Sequence, residues 1–216
     1  MQALSIDIIS DTVCPWCLIG KRKLDRALAM RPDVTPQITW RAYKLNPDIP
    51  PEGLDRRTFT AQKFGSEDQA RAIYNRIAEA GLEEGISFRF DRIERAIDTV
   101  DSHRLILWAN TAGCQDAVVE ALFAAYFFQG RDISDPTILS EIAGDAGMDR
   151  DLVAQLLAGD RDREVVEAEM DSARRIGVRG VPCFIFDRRL GVSGAQDPDI
   201  LVKAIDEAVG PAPAAS

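Results

Sequence analysis

Of the four cysteines in this 216-residue sequence, two, Cys14 and Cys17, bracket Pro15 and Trp16 in a CxxC motif. Residues three apart in the first turn of a helix face the same side, so the two sulfurs can meet. The unpaired N–H groups and positive dipole end at such a helix start favour a thiolate on the first of them. Cys14 is therefore the expected nucleophile and the more exposed thiol, and Cys17 the buried resolving thiol. Cys14 would attack a disulfide, and Cys17 would then break the mixed disulfide. Zinc competes for any CxxC, but a structural site takes about four ligands. Beyond the motif there are only Cys114, Cys183 and the single histidine, His103, with no second CxxC, so no metal is expected. His103 reads first as a capping or packing residue, with an acid–base role as the alternative.

The elements that must place these residues are legible around them. Leu4 to Ser10 is an isoleucine-rich apolar run that reads as a buried strand. From Pro15, the positions Leu18, Ile19, Leu24, Ala27 and Leu28 suit one helical face, ended by Arg31-Pro32. Ile38 to Tyr43 reads as a second strand, completing the start of an α/β unit. Residues 54–177 then carry helical periodicity, with stops expected at Gly81, Gly113, Gly130, Gly147, Gly159 and Gly177 and helix starts at Asp135-Pro136, Asp149 and Asp160. Strand character returns at Val181 to Phe186, with Leu190 to Ser193 as a hairpin partner, and Asp197-Pro198 opens a last helix.

The expected organisation is a small α/β domain built from 1–53 and 178–210, interrupted by a helical insertion at 54–177, with a disordered tail at 211–216. In an α/β redox domain, a cis bond at Val181-Pro182 would let the Val181 backbone approach the CxxC and pair with an extended substrate.

Composition excludes several function classes. Hydrophobic residues make up 46% and charged residues 28%, a globular balance. Lys and Arg number 26 against 35 Asp and Glu, and the net charge of −9 opposes nucleic acid and anionic membrane surfaces. The longest apolar run, Ala121 to Phe128, has eight residues, where a membrane span needs roughly 20. The N-terminus shows neither a basic nor a long apolar signal region, so the expected location is cytoplasmic, where structural disulfides are rare. Trp40, Tyr43, Trp108, Phe127 and Phe128 are expected in the core, since no phosphate-binding glycine loop accompanies them. The carboxylates between Glu141 and Asp171 read as a solvated helical face.

Val181-Pro182, combined with the Cys14-to-Cys17 motif and the separating helical insertion, resembles the DsbA-like branch of the thioredoxin superfamily. Within it, Ser10 to Gly20, Leu45 to Asp48, His103 to Leu105 with Trp108-Ala109, Gly180 to Pro182 and Val192 to Gln196 resemble the FrnE-like proteins, and the likeness spans nearly the whole chain. It implies an α/β thioredoxin fold with a large all-helical insertion and a cytoplasmic thiol–disulfide oxidoreductase. Cys14 and Cys17 would be catalytic, and Pro15, Trp16, Val181 and Pro182 would contact substrate. The implied partners are protein or small-molecule thiols and disulfides. No bound cofactor is implied beyond the redox-active disulfide; glutathione is an optional co-substrate, and a homodimer stays open.

The same branch contains 2-hydroxychromene-2-carboxylate isomerases and kappa-class glutathione transferases, which use a serine-type position and glutathione. Cysteine at both ends of the motif favours dithiol exchange here. A glutathione-dependent isomerase or transferase, or a redox-inert peptide-binding holdase, remains the alternative. Trp16 stands where DsbA itself carries histidine, which implies a milder oxidant. Cys183 takes the place of an expected aromatic residue after Pro182. Strand alternation turns it into the core, with a third redox thiol as the competing reading, and Cys114 reads as an inert or surface thiol.

Overall fold

The computed structural model describes residues 2–210, so the tail expected at 211–216 lies outside the described residues. β1 (Gln2–Ser10) buries Leu4, Ile6 and Ile8 on one face, as strand alternation requires, and adds Ile9 on the other. α1 (Pro15–Ala29) follows with proline in its first turn, and β2 (Val34–Ala42) returns parallel to β1. Its start precedes the expected Ile38 because β2 is an edge strand, where Pro36 can sit with no partner for the N–H it lacks. After the intervening helices, β5 (Cys183–Phe186) and β6 (Leu190–Ser193) complete a mixed sheet in the order β2-β1-β5-β6, and α9 (Pro198–Val209) closes the chain.

The segment between β2 and β5 holds α2 (Arg56–Phe64), α3 (Glu67–Glu83), α4 (Val100–Ala112), α5 (Gln115–Ala124), α6 (Pro136–Asp145), α7 (Arg150–Leu157) and α8 (Arg163–Arg175). It is not wholly helical. β3 (Leu54–Asp55) and β4 (Arg95–Ala96) form a two-residue antiparallel ladder, too short for alternation to reveal. Two helix boundaries also differ from expectation. α3 runs through Gly81, where a Cβ would lie 2.5 Å from the Phe88 ring, so this glycine serves packing rather than termination. α8 starts after Asp162, which holds a left-handed turn at φ 61°, while the Asp160 carboxylate accepts a hydrogen bond from Arg163. Part of the acidic stretch is likewise structural. Glu169 accepts from Arg41 and from the Ala42 N–H, and Asp162 accepts from the Trp108 indole.

Both sheet faces are covered. Ile6 and Ile8 share a cluster with Leu18 and Leu24 of α1, Leu201 and Ile205 of α9, and Phe123 and Phe127 of the insertion. Ile9 packs on the opposite face with Tyr43, Cys183 and Ala173 of α8. Inside the insertion, fully buried Arg104 donates to the carbonyls of Leu156, Gly159 and Arg161, so its guanidinium ties α4 to the α7–α8 connection.

An ion network ties α1 to α5. The Lys21 ammonium, nearly buried, lies 2.9 Å from Glu120, 3.2 Å from Asp25 and 3.4 Å from Asp116, and Arg22 forms a bidentate pair with Glu120. Burial alone would raise the Glu120 carboxyl; hydrogen bonds and charge from Arg22 and Lys21 outweigh it and hold the group at about 2, against an ordinary 4.5. A depressed carboxyl contributes stability that is present above its unfolded value and lost as pH falls through the folded one. Glu120→Gln should therefore lower stability at pH 7 by about 1 kcal/mol, a figure discounted for partial exposure. It should also flatten the loss of stability between pH 4.5 and 2, as read by denaturant titrations across that range. An unchanged acid limb would refute this assignment.

Candidate active site

The loop Asp11 to Val13 carries the chain from β1 into α1, and its hydrogen bonds fix the CxxC motif. The Cys14 N–H donates to the Asp11 carbonyl and the Cys17 N–H to the Cys14 carbonyl, both at 3.0 Å. Cys14 occupies the N-cap position in an extended conformation, and Pro15 takes the first helical position. Across from it, the Val181-Pro182 peptide bond is cis, and the Cys14 thiol donates to the Val181 carbonyl at 3.5 Å. The approach of these segments depends on Gly20, one turn beyond Cys17: a Cβ there would lie 2.7 Å from the Pro182 ring and 3.2 Å from Phe184.

The two thiols do not differ in exposure as expected. Cys14 is 2% and Cys17 1% exposed, because α2 and α3 of the insertion roof over the motif. They differ instead in what they face. Cys14 lines a cavity of about 210 Å3, while Cys17 is absent from its walls. Burial pushes the Cys17 thiol well above the ordinary range. Its hydrogen bond with Cys14 and the charge there act in the same direction, and the Ser10 hydroxyl and Asp11 N–H only partly offset them. The Cys17 thiol thus stays protonated at neutral pH.

The structure places the remaining singled-out residues unequally. Pro15 and Trp16 border the cavity, and the Trp16 side chain is 39% exposed. Val181 is half-buried and Pro182 buried. His103 lies in the first turn of α4, buried, with its Nε2 3.5 Å from Asp11 Oδ1; among the described residues neither atom has a hydrogen-bond partner. The other Asp11 oxygen accepts from the Leu45 N–H at 2.7 Å. His103 is therefore a packed residue that nevertheless meets the redox loop.

Cys183 sits on the sheet face away from the cavity, buried and unpaired, with its thiol raised by burial. Cys114 is half-buried at the start of α5. Among the described residues no group of histidines, cysteines and carboxylates gathers as a metal site, and no helix is long and apolar enough to cross a membrane.

Three residues near Cys14 were not singled out from sequence. Arg56 and Lys63 reach the cavity from α2, and Asp11, outside its lining, accepts from the Cys14 N–H and has its charge felt by Lys63. No motif marks the cations, since an insertion helix shares no spacing with the CxxC. Asp11 carried a signal, being a carboxylate squeezed between a buried strand and a helix start.

Residues 5–206 match the DSBA-like thioredoxin domain. The chain belongs to that family. A probable DsbA oxidoreductase from Streptomyces coelicolor is 30% identical to this DsbA-like chain, superimposes with a TM-score of 0.86, and the match covers 99% of this chain and 93% of that one. The cytosolic disulfide reductase DsbM of Pseudomonas aeruginosa, solved with GSH, shares the fold at 19% identity and a TM-score of 0.63, over 94% of this chain and 98% of that one. An uncharacterised protein of Bacillus subtilis, YwbO, is 22% identical over 95% of this chain and 98% of its own. Family membership places the chain among DsbA-like thiol oxidoreductases.

Two outcomes test this geometry. Gly20→Ala gains helix propensity of about 1 kcal/mol but forces a methyl into the Pro182 ring, an overpacking cost of about 1–3 kcal/mol. The DsbA-like chain should melt lower and exchange disulfides more slowly; a variant that melts higher with unchanged kinetics would show that the contact does not matter. Cys183→Val should keep full exchange activity, and peroxide treatment followed by nonreducing peptide mapping should recover no Cys183 crosslink to Cys14 or Cys17. Such a crosslink would restore the three-thiol reading.

Proposed function

We propose that this protein is a cytoplasmic thiol–disulfide oxidoreductase working through the Cys14-Cys17 dithiol. The observation that carries the reading is the asymmetry of the pair: Cys14 faces both the cavity and the Val181 carbonyl, and Cys17 lies buried beneath it with a raised thiol. In reduction, the Cys14 thiolate attacks a substrate sulfur and displaces the other as a thiolate. Cys17 then loses its proton, attacks the Cys14 sulfur and releases the second substrate thiol, leaving a Cys14–Cys17 disulfide. The two thiol protons end on the two released thiols, and two electrons have passed to substrate. A thiol such as glutathione re-forms the dithiol by the reverse exchange, consistent with the fold shared with a glutathione-bound disulfide reductase. Trp16 and Pro15 at the cavity edge, with Val181 and Pro182 beside the Cys14 thiol, would hold the substrate against Cys14. A cytoplasmic site of action accords with the printed location of that same neighbour.

The assignment of roles has a direct test. Incubated with oxidised glutathione, Cys17→Ser should accumulate a stable mixed disulfide on Cys14, visible as a mass increase under nonreducing conditions, whereas Cys14→Ser should accumulate none. Equal trapping by the two variants, or trapping on Cys17 alone, would defeat the directed mechanism.

A further inference from the structure

The cavity above Cys14 has a composition that generic disulfide exchange does not require. Its walls are aromatic, with Phe59, Tyr74, Phe90 and Phe127 among them, and its volume of about 210 Å3 falls below the roughly 300–1,000 Å3 of sites for drug-sized ligands. It accommodates one ring system rather than a length of polypeptide. Cys14, 2% exposed, is one of its lining residues.

Two cations border this apolar space. The Arg56 guanidinium lies 4.9 Å from the centre of the Tyr74 ring, and the Lys63 ammonium 5.3 Å from that of Phe59. Among the described residues neither meets a carboxylate, and Lys63 bonds only the neutral Asn46 amide oxygen. Desolvation lowers the Lys63 ammonium from the ordinary lysine range; the charges of Cys14 and Asp11 offset this only in part, and the Arg56 charge, the smallest of these influences, adds to the lowering. An anion arriving between the two would relieve both effects. In a chain of net charge −9, such a pair beside an aromatic pocket singles out a spot where a negative group gains. A second hollow continues outward past Phe59 and Lys63, leaving room for the half of the substrate that departs.

We infer that the preferred substrate is a small disulfide in which an aromatic body carries a carboxylate, the ring filling the cavity over Cys14 and the carboxylate meeting Arg56 and Lys63. This rests on the exchange reading above. The first step is attack of the Cys14 thiolate on the sulfur attached to the ring, and the remaining half leaves as a thiolate.

Single-turnover stopped flow of the reduced protein tests it with three disulfides: 5,5′-dithiobis(2-nitrobenzoate), aromatic and anionic; 4,4′-dithiodipyridine, aromatic and neutral; and insulin, a polypeptide. Rates are normalised to those of free glutathione with each reagent. A charge-assisted contact sustains discrimination of about tenfold or more, so the normalised rate should favour the nitrobenzoate over the pyridine by at least about that factor. The Arg56→Gln/Lys63→Gln double variant should lose this preference, its rate falling at least about tenfold further with the nitrobenzoate than with the pyridine, and Lys63→Arg should retain it. Added salt should erode the preference in the native protein but not in the double variant.

An absent preference, an equal fall with both aromatic reagents, or insulin reacting as fast as the nitrobenzoate would each overturn the inference. The equal fall would mean that the cations act on Cys14 rather than on substrate. Failure is separable from failure of the exchange reading: a native protein inert to all three reagents would remove exchange itself, whereas reaction without discrimination removes only this substrate class.

Discussion

Everything at the candidate site depends on two chain segments, 167 residues apart, being held in van der Waals contact. The sheet supplies the constraint. Ile9 lies opposite Cys183 in the antiparallel pairing of β1 with β5, so the end of one strand and the start of the other coincide in space. The chain leaving β1 reaches Cys14 and the chain entering β5 has just passed Pro182. A one-residue slip would turn Ile8 and Phe184 out of the main core, which is why the register is secure. Gly20 then sets the remaining distance, since any side chain there would prise the proline loop from the helix.

The insertion does more than cover the motif. It touches the redox loop through the Thr12–Ser102 hydroxyl pair at 2.8 Å and through the facing Asp11 and His103 side chains, and it grips α1 from outside through Lys21, Arg22 and Glu120. The polar contacts inside are buried, whereas outside Arg22 and Glu120 are half-exposed around a buried Lys21, so they weigh differently: a lost partner in the buried set leaves a desolvated group, while the Arg22–Glu120 pair is softened by water. The helix bearing the cysteines is therefore clamped between two bodies built from distant stretches of chain. That explains how both cysteines come to be buried while Trp16 between them stays exposed.

The fold could be read from the sequence where chemistry and periodicity are local. The CxxC at a strand-to-helix junction, the apolar faces of α1 and α9, and the proline ahead of β5 all announce themselves within a few residues. What escaped reading depends on tertiary neighbours. Gly81 looks like a terminator until Phe88 is found against it, and Cys14 looks exposed until α2 and α3 are placed above it. Arg56 and Lys63 are ordinary helix residues by sequence, and only the fold turns them toward the cysteine. His103 was readable as a packed residue but not as a neighbour of Asp11, because no periodicity links positions 92 apart.

One feature of α5 bears on how such a protein can diversify. After Ala124 the helix widens into a π turn over Ala125–Gln129, and this turn presents Tyr126 and Phe127 to the cavity. A π turn is an α-helix accommodating one extra residue, so gaining or losing a single codon there would rotate those rings by about a quarter to a third of a turn. The strands, the cysteines and the proline loop lie outside that segment and would keep their register. This aromatic wall and the CxxC are thus written in separate stretches of the gene, and a lineage could re-cut the wall in one mutational step while the cysteines keep their places.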